Sequence, residues 1–294
     1  MRVVSLMYHD IFDFDALEGF EFSEVVADRY NMERSEFQVH MAALDQHLTS
    51  GVSLAPDVLR TMPAVAPVML TFDDGGLSAY TIVMDVLERY GWKAHFFIVT
   101  DWIGKPGYLD VHHLRTLRAR GHIIGSHSCS HPSRMASMSL EAISQEWIAS
   151  VARLSEVLGE EITTASVPGG DYSPPVALAA AAAGIQALFT SEPVRTVQRV
   201  GTCMVFGRYV VLSRQSKDQN IRWVKGHTAS RYRAYLLWNL RKAAKRLGKE
   251  GYLRLRFVVL FGRYYWRRNF RAVKNRENLY LWAKLIEAYQ RGSR

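Results

Sequence analysis

The sequence predicts an α/β fold, with strands and helices alternating around a parallel sheet or barrel, followed by a basic, mainly helical extension. Three observations carry that reading. Over residues 1–214, short apolar runs alternate with segments of helical period. Residues able to do chemistry recur directly after those runs, at His9, Asp73-Asp74, His127, Pro168-Gly169 and Thr190-Ser191, as they do at the C-terminal ends of barrel strands. From residue 219 onward the composition changes: 20 Lys and Arg stand against Glu250, Glu277 and Glu287. The division falls at 214, giving a body of 1–214 and an extension of 215–294.

The elements follow in order. Val3 to Tyr8 reads as a buried strand ending at His9, and Ile11 to Arg29 as a long loop without a period. Ser35 to Leu48 places Phe37, Met41, Leu44 and Leu48 at helical spacing. Val65 to Phe72 is a second strand, and Leu77 to Tyr90 a helix stopped by Gly91. Ala94 to Thr100 is a strand, and Val111 to Arg120 a helix closed by Gly121. Ile123 to Gly125 is a short strand leading to His127. Leu140 to Leu158 reads as a helix between Ser139 as N-cap and Gly159. Thr164 to Val167 is a strand and Pro175 to Ala183 an alanine-rich helix. Ala187 to Thr190 and Tyr209 to Leu212 read as the last strands.

Composition narrows the class. Apolar residues make up 48% and charged residues 22%, which places the chain with globular rather than disordered proteins. Two cysteines, Cys129 and Cys203, are too few for a disulfide framework and fit a reducing compartment. No stretch approaches the ~20 apolar residues of a membrane-spanning helix, and the first residues lack a signal-peptide pattern. The expected location is cytoplasmic, or peripheral at the inner face of the membrane.

Two segments carry the chemistry. Asp73 and Asp74 close an apolar strand, and adjacent side chains of an extended segment point apart, so the two acids suit different tasks. One can hold a metal while the other faces a bound water; a solvated Asp-Asp-Gly turn is the plainer alternative. His127 and His131 are spaced to reach one ion, and imidazole suits zinc, iron or cobalt. Loop histidines packed on Pro132 are the alternative there. His40, His47, His112, His113 and His122 read as structural or surface residues.

Together these segments resemble the polysaccharide deacetylases, carbohydrate esterase family four. The matching elements are Thr71-Phe72-Asp73-Asp74-Gly75, the stretch from Gly121 through His127 and His131 to Pro132, and Val167-Pro168-Gly169-Gly170-Asp171-Tyr172-Ser173. The resemblance covers roughly residues 1–214. It implies a distorted (β/α) barrel of about seven units and a metal-dependent hydrolase that removes N-acetyl groups from a sugar or glycan. By position it assigns Asp73 as general base, and Asp74, His127 and His131 as ligands of a divalent metal. Zn2+ is expected there, with Co2+ or another first-row ion as the alternative. It also assigns the Gly169 backbone N–H to the oxyanion.

Two departures stand out. The family usually carries an arginine where this chain has Ser166, and no late Leu-x-His follows Tyr209 to Leu212, the next histidine being His227. The opening Leu6-Met7-Tyr8-His9-Asp10 resembles that of a circularly permuted branch in which the acid-bearing strand comes first, and this assigns the general acid to His9. A non-catalytic carbohydrate-binding or scaffold protein that keeps the barrel is the rival reading, motivated by those departures.

In the extension, aromatics interleave with cations, and Ala234 to Leu247 can form an amphipathic helix with Leu237, Leu240, Ala244 and Leu247 near one face. Basic faces beside Trp and Tyr suit an anionic membrane surface. Helices packed on the body with solvated charges are the alternative, and nucleic acid is the less favoured partner.

Overall fold

The computed structural model describes residues 1–13 and 29–246. In chain order its strands are β1 (Val4–Tyr8), β2 (Ile11–Phe12), β3 (Met32–Glu33), β4 (Val68–Phe72), β5 (His95–Ile98), β6 (Ile123–Ser126), β7 (Thr164–Ser166), β8 (Ala187–Phe189), β9 (Gln198–Val200), β10 (Cys203–Phe206) and β11 (Tyr209–Val210). β2 and β3 pair separately, and the other nine form one sheet in the order β11-β1-β4-β5-β6-β7-β8-β10-β9. Neighbours are parallel throughout except β9 and β10. Parallel strands need crossover connections. Most are supplied by α1 (Arg34–Asp45), α2 (Ala55–Thr61), α3 (Met84–Glu88, after a π-helical turn at Ala79–Val83), α4 (Val111–Ala119), α5 (Leu140–Leu158) and α6 (Pro174–Ala182). Two more helices, α7 (Lys217–Val224) and α8 (Thr228–Arg246), end the described chain.

Local chemistry sets the helix ends. The Ser139 hydroxyl accepts the Ala142 N–H, and α5 stops where Gly159 turns left-handed at φ 71°. Asp110 and His113 form a reciprocal cap at the start of α4. The Glu33 carboxylate caps α1 through Ser35 and Glu36 N–H. α2 is a short helix that the sequence reading did not contain.

Alternation along the strands places the site. Val4, Leu6 and Tyr8 of β1, Val68, Leu70 and Phe72 of β4, and Phe96 and Ile98 of β5 join the large cluster under the helices. The opposite parity fills the hollow of the sheet: Val3, Met69, Phe97, Ala187, Phe189 and Phe206 pack with Ala55 and Val58 of α2. Phe189 stacks on Phe206 at 5.0 Å and meets Phe97 at a tilt at 5.2 Å. On the same parity, Asp73 lies four residues beyond Met69 and Arg208 two beyond Phe206. His95 is wedged into the aromatic stack, where burial pushes its imidazole down to about 4. His122, buried with Nδ1 accepting the Ala94 N–H, is likewise held down to about 4 by burial.

The sheet curls but does not close as a seven-unit barrel. Its edge strand β9 is antiparallel, which breaks the parallel succession, and no ladder joins β9 to β11 among the described residues. A seam forms instead where Val3 N–H donates to Arg195 O (2.8 Å), Val197 N–H to Met1 O (3.2 Å), and Arg2 bridges Thr196. The α/β class and the curled parallel sheet are as expected; strand number and closure are not.

By contacts the chain divides into two units, Met1–Tyr235 and Leu236–Arg294. The first runs beyond residue 214 because α7 buries Ile221 and Trp223, the latter stacked on Tyr209 at 4.9 Å. Helix α8 begins at Thr228, before the Ala234 expected from the sequence, and Leu247 lies outside the described residues. Both cysteines are free. No helix among the described residues is long and apolar enough to cross a membrane.

Candidate active and metal centre

The sequence-predicted site residues meet at the C-terminal ends of the parallel strands. β1 and β4 pair with Tyr8 opposite Phe72, so His9 and Asp73 leave adjacent strands side by side. Asp73 still belongs to the ladder, its N–H donating to Tyr8 O at 3.1 Å. The chain then turns sharply: Asp74 is left-handed at φ 74° and Gly75 follows at φ 82°. A non-glycine residue in that region is unusual and strained. Here the turn separates the two carboxylates, Asp73 facing inward and Asp74 facing the histidines.

The histidines lie on a loop held by its own backbone contacts. Ser128 and His131 are also left-handed, at φ 66° and 59°. Ser128 N–H donates to Ser126 Oγ and His131 N–H to Ser128 Oγ, both at 3.1 Å. Glu146 of α5 accepts the N–H groups of Cys129 and Ser130 at 3.0 and 2.9 Å. His127 Nδ1 lies 3.0 Å from Ser166 O, which can only accept, so Nδ1 carries a proton and Nε2 faces Asp74; burial works to lower the His127 pKa, but Asp73 and Asp74 outweigh it and raise it. That Nε2 is 3.3 Å from Asp74 Oδ1, and His131 Nε2 is 3.6 Å from the same oxygen.

This donor set suits a divalent cation. One ligand atom each from Asp74, His127 and His131 lies within 4.8 Å of the others. Asp74 Oδ1 is buried without a hydrogen-bond partner, an expensive condition unless a cation is shared there. Tetrahedral zinc with bonds of ~2.0–2.1 Å sets its ligands about 3.3 Å apart, close to the 3.3 and 3.6 Å that separate Asp74 Oδ1 from the two imidazole nitrogens. Burial works to raise the Asp74 pKa, but His127, His9 and His131 outweigh it and hold the carboxyl well below its usual value. Burial and the nearby His127 lower the His131 pKa, which favours its neutral form.

Asp73 has a partner that the sequence reading missed. Arg208, fully buried, donates Nη1 to Asp73 Oδ1 at 2.6 Å and Nη2 to Oδ2 at 2.8 Å, a two-point ion pair. Its Nε donates to Thr190 O at 3.0 Å, and the guanidinium lies 5.6 Å from the Phe97 ring centroid. Burial alone would raise the Asp73 pKa, yet Arg208 and His127 together hold it below the ordinary carboxylate value. Ser166, where an arginine was expected, instead donates its hydroxyl to Asp73 Oδ1 at 3.2 Å and contacts His127 Nδ1 at 2.6 Å. An arginine thus reaches Asp73 from the segment after β10 rather than from β7. The signal was present, since Arg208 continues the inward parity of Phe206. Position 207 must be glycine because any Cβ would collide with Glu192 O and Val194 O.

His9 faces the same mouth, its charge acting on both Asp73 and Asp74, with Nδ1 buried and unpaired. Its ring lies 4.6 Å from that of Tyr30. Asp10 turns away, bonded to Ser78 Oγ and Ile11 N–H, and burial raises its pKa. Gly169 sits at φ 58° in the turn after β7, with room for a Cβ only 3.4 Å from Ser133 O. Trp102 forms a wall beside the centre, 5.3 Å from His131 and 4.9 Å from Tyr108 between ring centroids.

With this geometry in hand, known proteins supply a context. The polysaccharide deacetylase family model matches residues 63–188, which include Asp73, Asp74, His127, His131 and Gly169. The Bacillus subtilis protein YxkH, which bears a polysaccharide deacetylase designation, is 27% identical over 194 residues, covering 64% of each chain. The chitin deacetylase of Colletotrichum lindemuthianum is 28% identical over 114 residues, 35% of this chain and 46% of that protein. This chain therefore spans less than two thirds of the length of either relative. The Streptococcus pyogenes deacetylase PplD, solved with acetate, shares the fold at a TM-score of 0.61 and 20% identity, over 76% of this chain and 98% of that one. The segment that carries the centre is therefore similar to polysaccharide deacetylases.

Proposed function

We propose that this chain is a metal-dependent hydrolase that removes N-acetyl groups from an N-acetylated sugar or glycan. The observation that carries the reading is the division of labour between adjacent acids: Asp73 locked to Arg208, Asp74 turned toward His127 and His131. Asp74, His127 and His131 would hold a divalent ion, zinc or cobalt, which supplies Lewis acidity to a water and an acyl oxygen. Asp73 stays ionised and takes a proton from the attacking water. Gly169 N–H donates to the oxygen that gains charge, a contribution of about 3–4 kcal/mol for one such donor. His9 delivers a proton to the departing nitrogen, since an amine leaves poorly unless protonated; general acid catalysis is worth ~100 to 10,000-fold. The products are acetate and a free amino sugar. His9 in the acid role is the arrangement of the permuted branch that the N-terminus resembles.

Arg208 also bears on the rival reading of a non-catalytic binding protein. That reading drew on the absent arginine at Ser166, and Arg208 fills the functional gap. The substrate class is tested by an acetate-release screen on free, nucleotide-linked and lipid-linked N-acetyl sugars. The expected result is turnover of at least one class; turnover of none, by a chain loaded with metal, favours the binding protein.

For the extension we propose an anionic membrane surface as partner. Tyr232 and Leu240 of α8 are exposed, and Lys242 lies 4.7 Å from the Trp238 ring centroid, a pairing of aromatic and cation suited to the headgroup region. Cations near such a leaflet contribute about 1 kcal/mol each. Sedimentation with anionic liposomes at low salt is therefore expected, and to weaken in the double variant Arg241→Glu, Lys242→Glu. A full chain that ignores anionic liposomes at low salt overturns this.

A further inference from the structure

A second charged cluster lies at the other end of the body. Arg2 precedes β1 and Ala66 precedes β4, so they mark the N-terminal ends of the strands, whereas the Asp73 centre marks the C-terminal ends. At ~3.3 Å per residue, the backbone of Arg2 lies roughly 20 Å along β1 from that of His9. A cleft of about 470 Å³ opens here, lined by Met1, Arg2, Pro63, Ala64, Ala66 and Arg195.

Among the described residues, the arginines at this cleft have no carboxylate partner. Arg195 Nε is buried and has no hydrogen-bond partner. Its guanidinium lies over the backbone of Gly226, where any Cβ would come within 2.5 Å of Nη1. Arg231 approaches from α8, its Nε bonded to the Tyr209 hydroxyl at 3.3 Å. Burial, then the nearby charges of Arg231 and Arg2, lower the Arg195 pKa. Among the described residues, no carboxylate forms an ion pair with Arg2, Arg195 or Arg231. Surface arginines that diverge into solvent need no explanation. Arg2 and Arg195 instead sit on backbone stitched together by the Arg2–Thr196 bridge and the Val3–Arg195 bond, which holds like charges close.

We propose that this cleft is a phosphoryl-anion site, in which Arg195 and Arg2, supported by Arg231, bind a phosphate or diphosphate group. Guanidinium groups present paired donors that match phosphate oxygens, and a multiply charged anion relieves the repulsion of several cations at once. Arg195 and Arg2 both line the cleft, so an anion held there meets both side chains. The phosphate can come from a soluble phosphate ester or from a lipid headgroup. The site is independent of the Asp73 centre and of the activity proposed for it.

The test is titration of the full-length protein with inorganic pyrophosphate at low salt, followed by calorimetry and thermal unfolding. Wild type is expected to bind and to gain thermal stability as ligand is added. Arg195→Gln and Arg2→Gln should each weaken binding by on the order of tenfold or more, the loss of a charged hydrogen-bond partner. Arg195→Gln without ligand should be at least as stable as wild type, because an unpaired cation has been removed. The variant Arg2→Gln alters an exposed side chain, so it reports even if Arg195→Gln unfolds. Vesicles containing phosphatidic acid form the second arm. If Arg195→Gln loses both pyrophosphate and vesicle binding, the headgroup is a source; if it loses pyrophosphate alone, the ligand is soluble. Equal pyrophosphate binding by wild type and both variants, at the metal centre or on the extension, overturns the proposal, as does no binding by wild type.

Discussion

Arg208→Met is expected to destabilise the protein by about 3–5 kcal/mol, the usual cost of removing one partner from a buried ion pair. Methionine fills much of the volume but leaves Asp73 buried without its two donors at 2.6 and 2.8 Å. The same change should move the pH profile of turnover. With Arg208 present, the Asp73 carboxyl titrates below its ordinary value despite burial. A depressed folded-state pKa adds stability that is in place above the unfolded value of ~3.9 and is lost as pH falls through the folded value. Without Arg208, burial dominates, the pKa rises, and the acidic limb of kcat/KM shifts to higher pH. Arg208→Lys should fall between, since lysine restores charge but not the paired geometry. Chemical denaturation and a pH–rate profile check both parts. A variant with unchanged stability and an unchanged acidic limb would show that Arg208 does not sustain the base.

The adjacent acids give the second large effect. Asp73→Asn should lower kcat by ~100 to 10,000-fold, the range for a lost general base, while metal content stays the same. Asp74→Asn should lose both, because Asp74 Oδ1 is the point at which His127 and His131 converge. Elemental analysis beside acetate release separates the two outcomes. Equal metal loss in both variants would mean that Asp73 is also a ligand, and the assignment of the base would fail.

Much of the centre was legible because the strands advertise it. His9, Asp73, Asp74 and His127 each follow an apolar run, and the structure brings those run ends to one mouth. Arg208 was missed for want of a strand: Cys203–Phe206 is only four residues between Gly201-Thr202 and Gly207, and was not read as an element. Once β10 is in place, the alternation Met204, Phe206, Arg208 points the arginine inward. Glu146 left no comparable trace, since its bonds to Cys129 and Ser130 arise only when α5 packs beside the loop. Helix α2 also escaped, because seven residues with two buried side chains show no period. In Leu77 to Tyr90 the helical pattern was read correctly but not its π-helical widening at Ala79–Val83, which depends on packing. Barrel closure was inferred from resemblance, and the antiparallel β9 at the open edge is a three-residue strand with mostly exposed side chains.

The most direct test of the central claim follows metal and acetate in one preparation. The full-length protein should retain about one equivalent of Zn2+ or Co2+ per chain through gel filtration, as expected for one Asp-His-His site. It should release acetate from N-acetylglucosamine oligosaccharides, stop when the ion is stripped by chelator, and resume when it is restored. A chain that retains no divalent ion after loading, or that releases acetate at the same rate once stripped, contradicts the account.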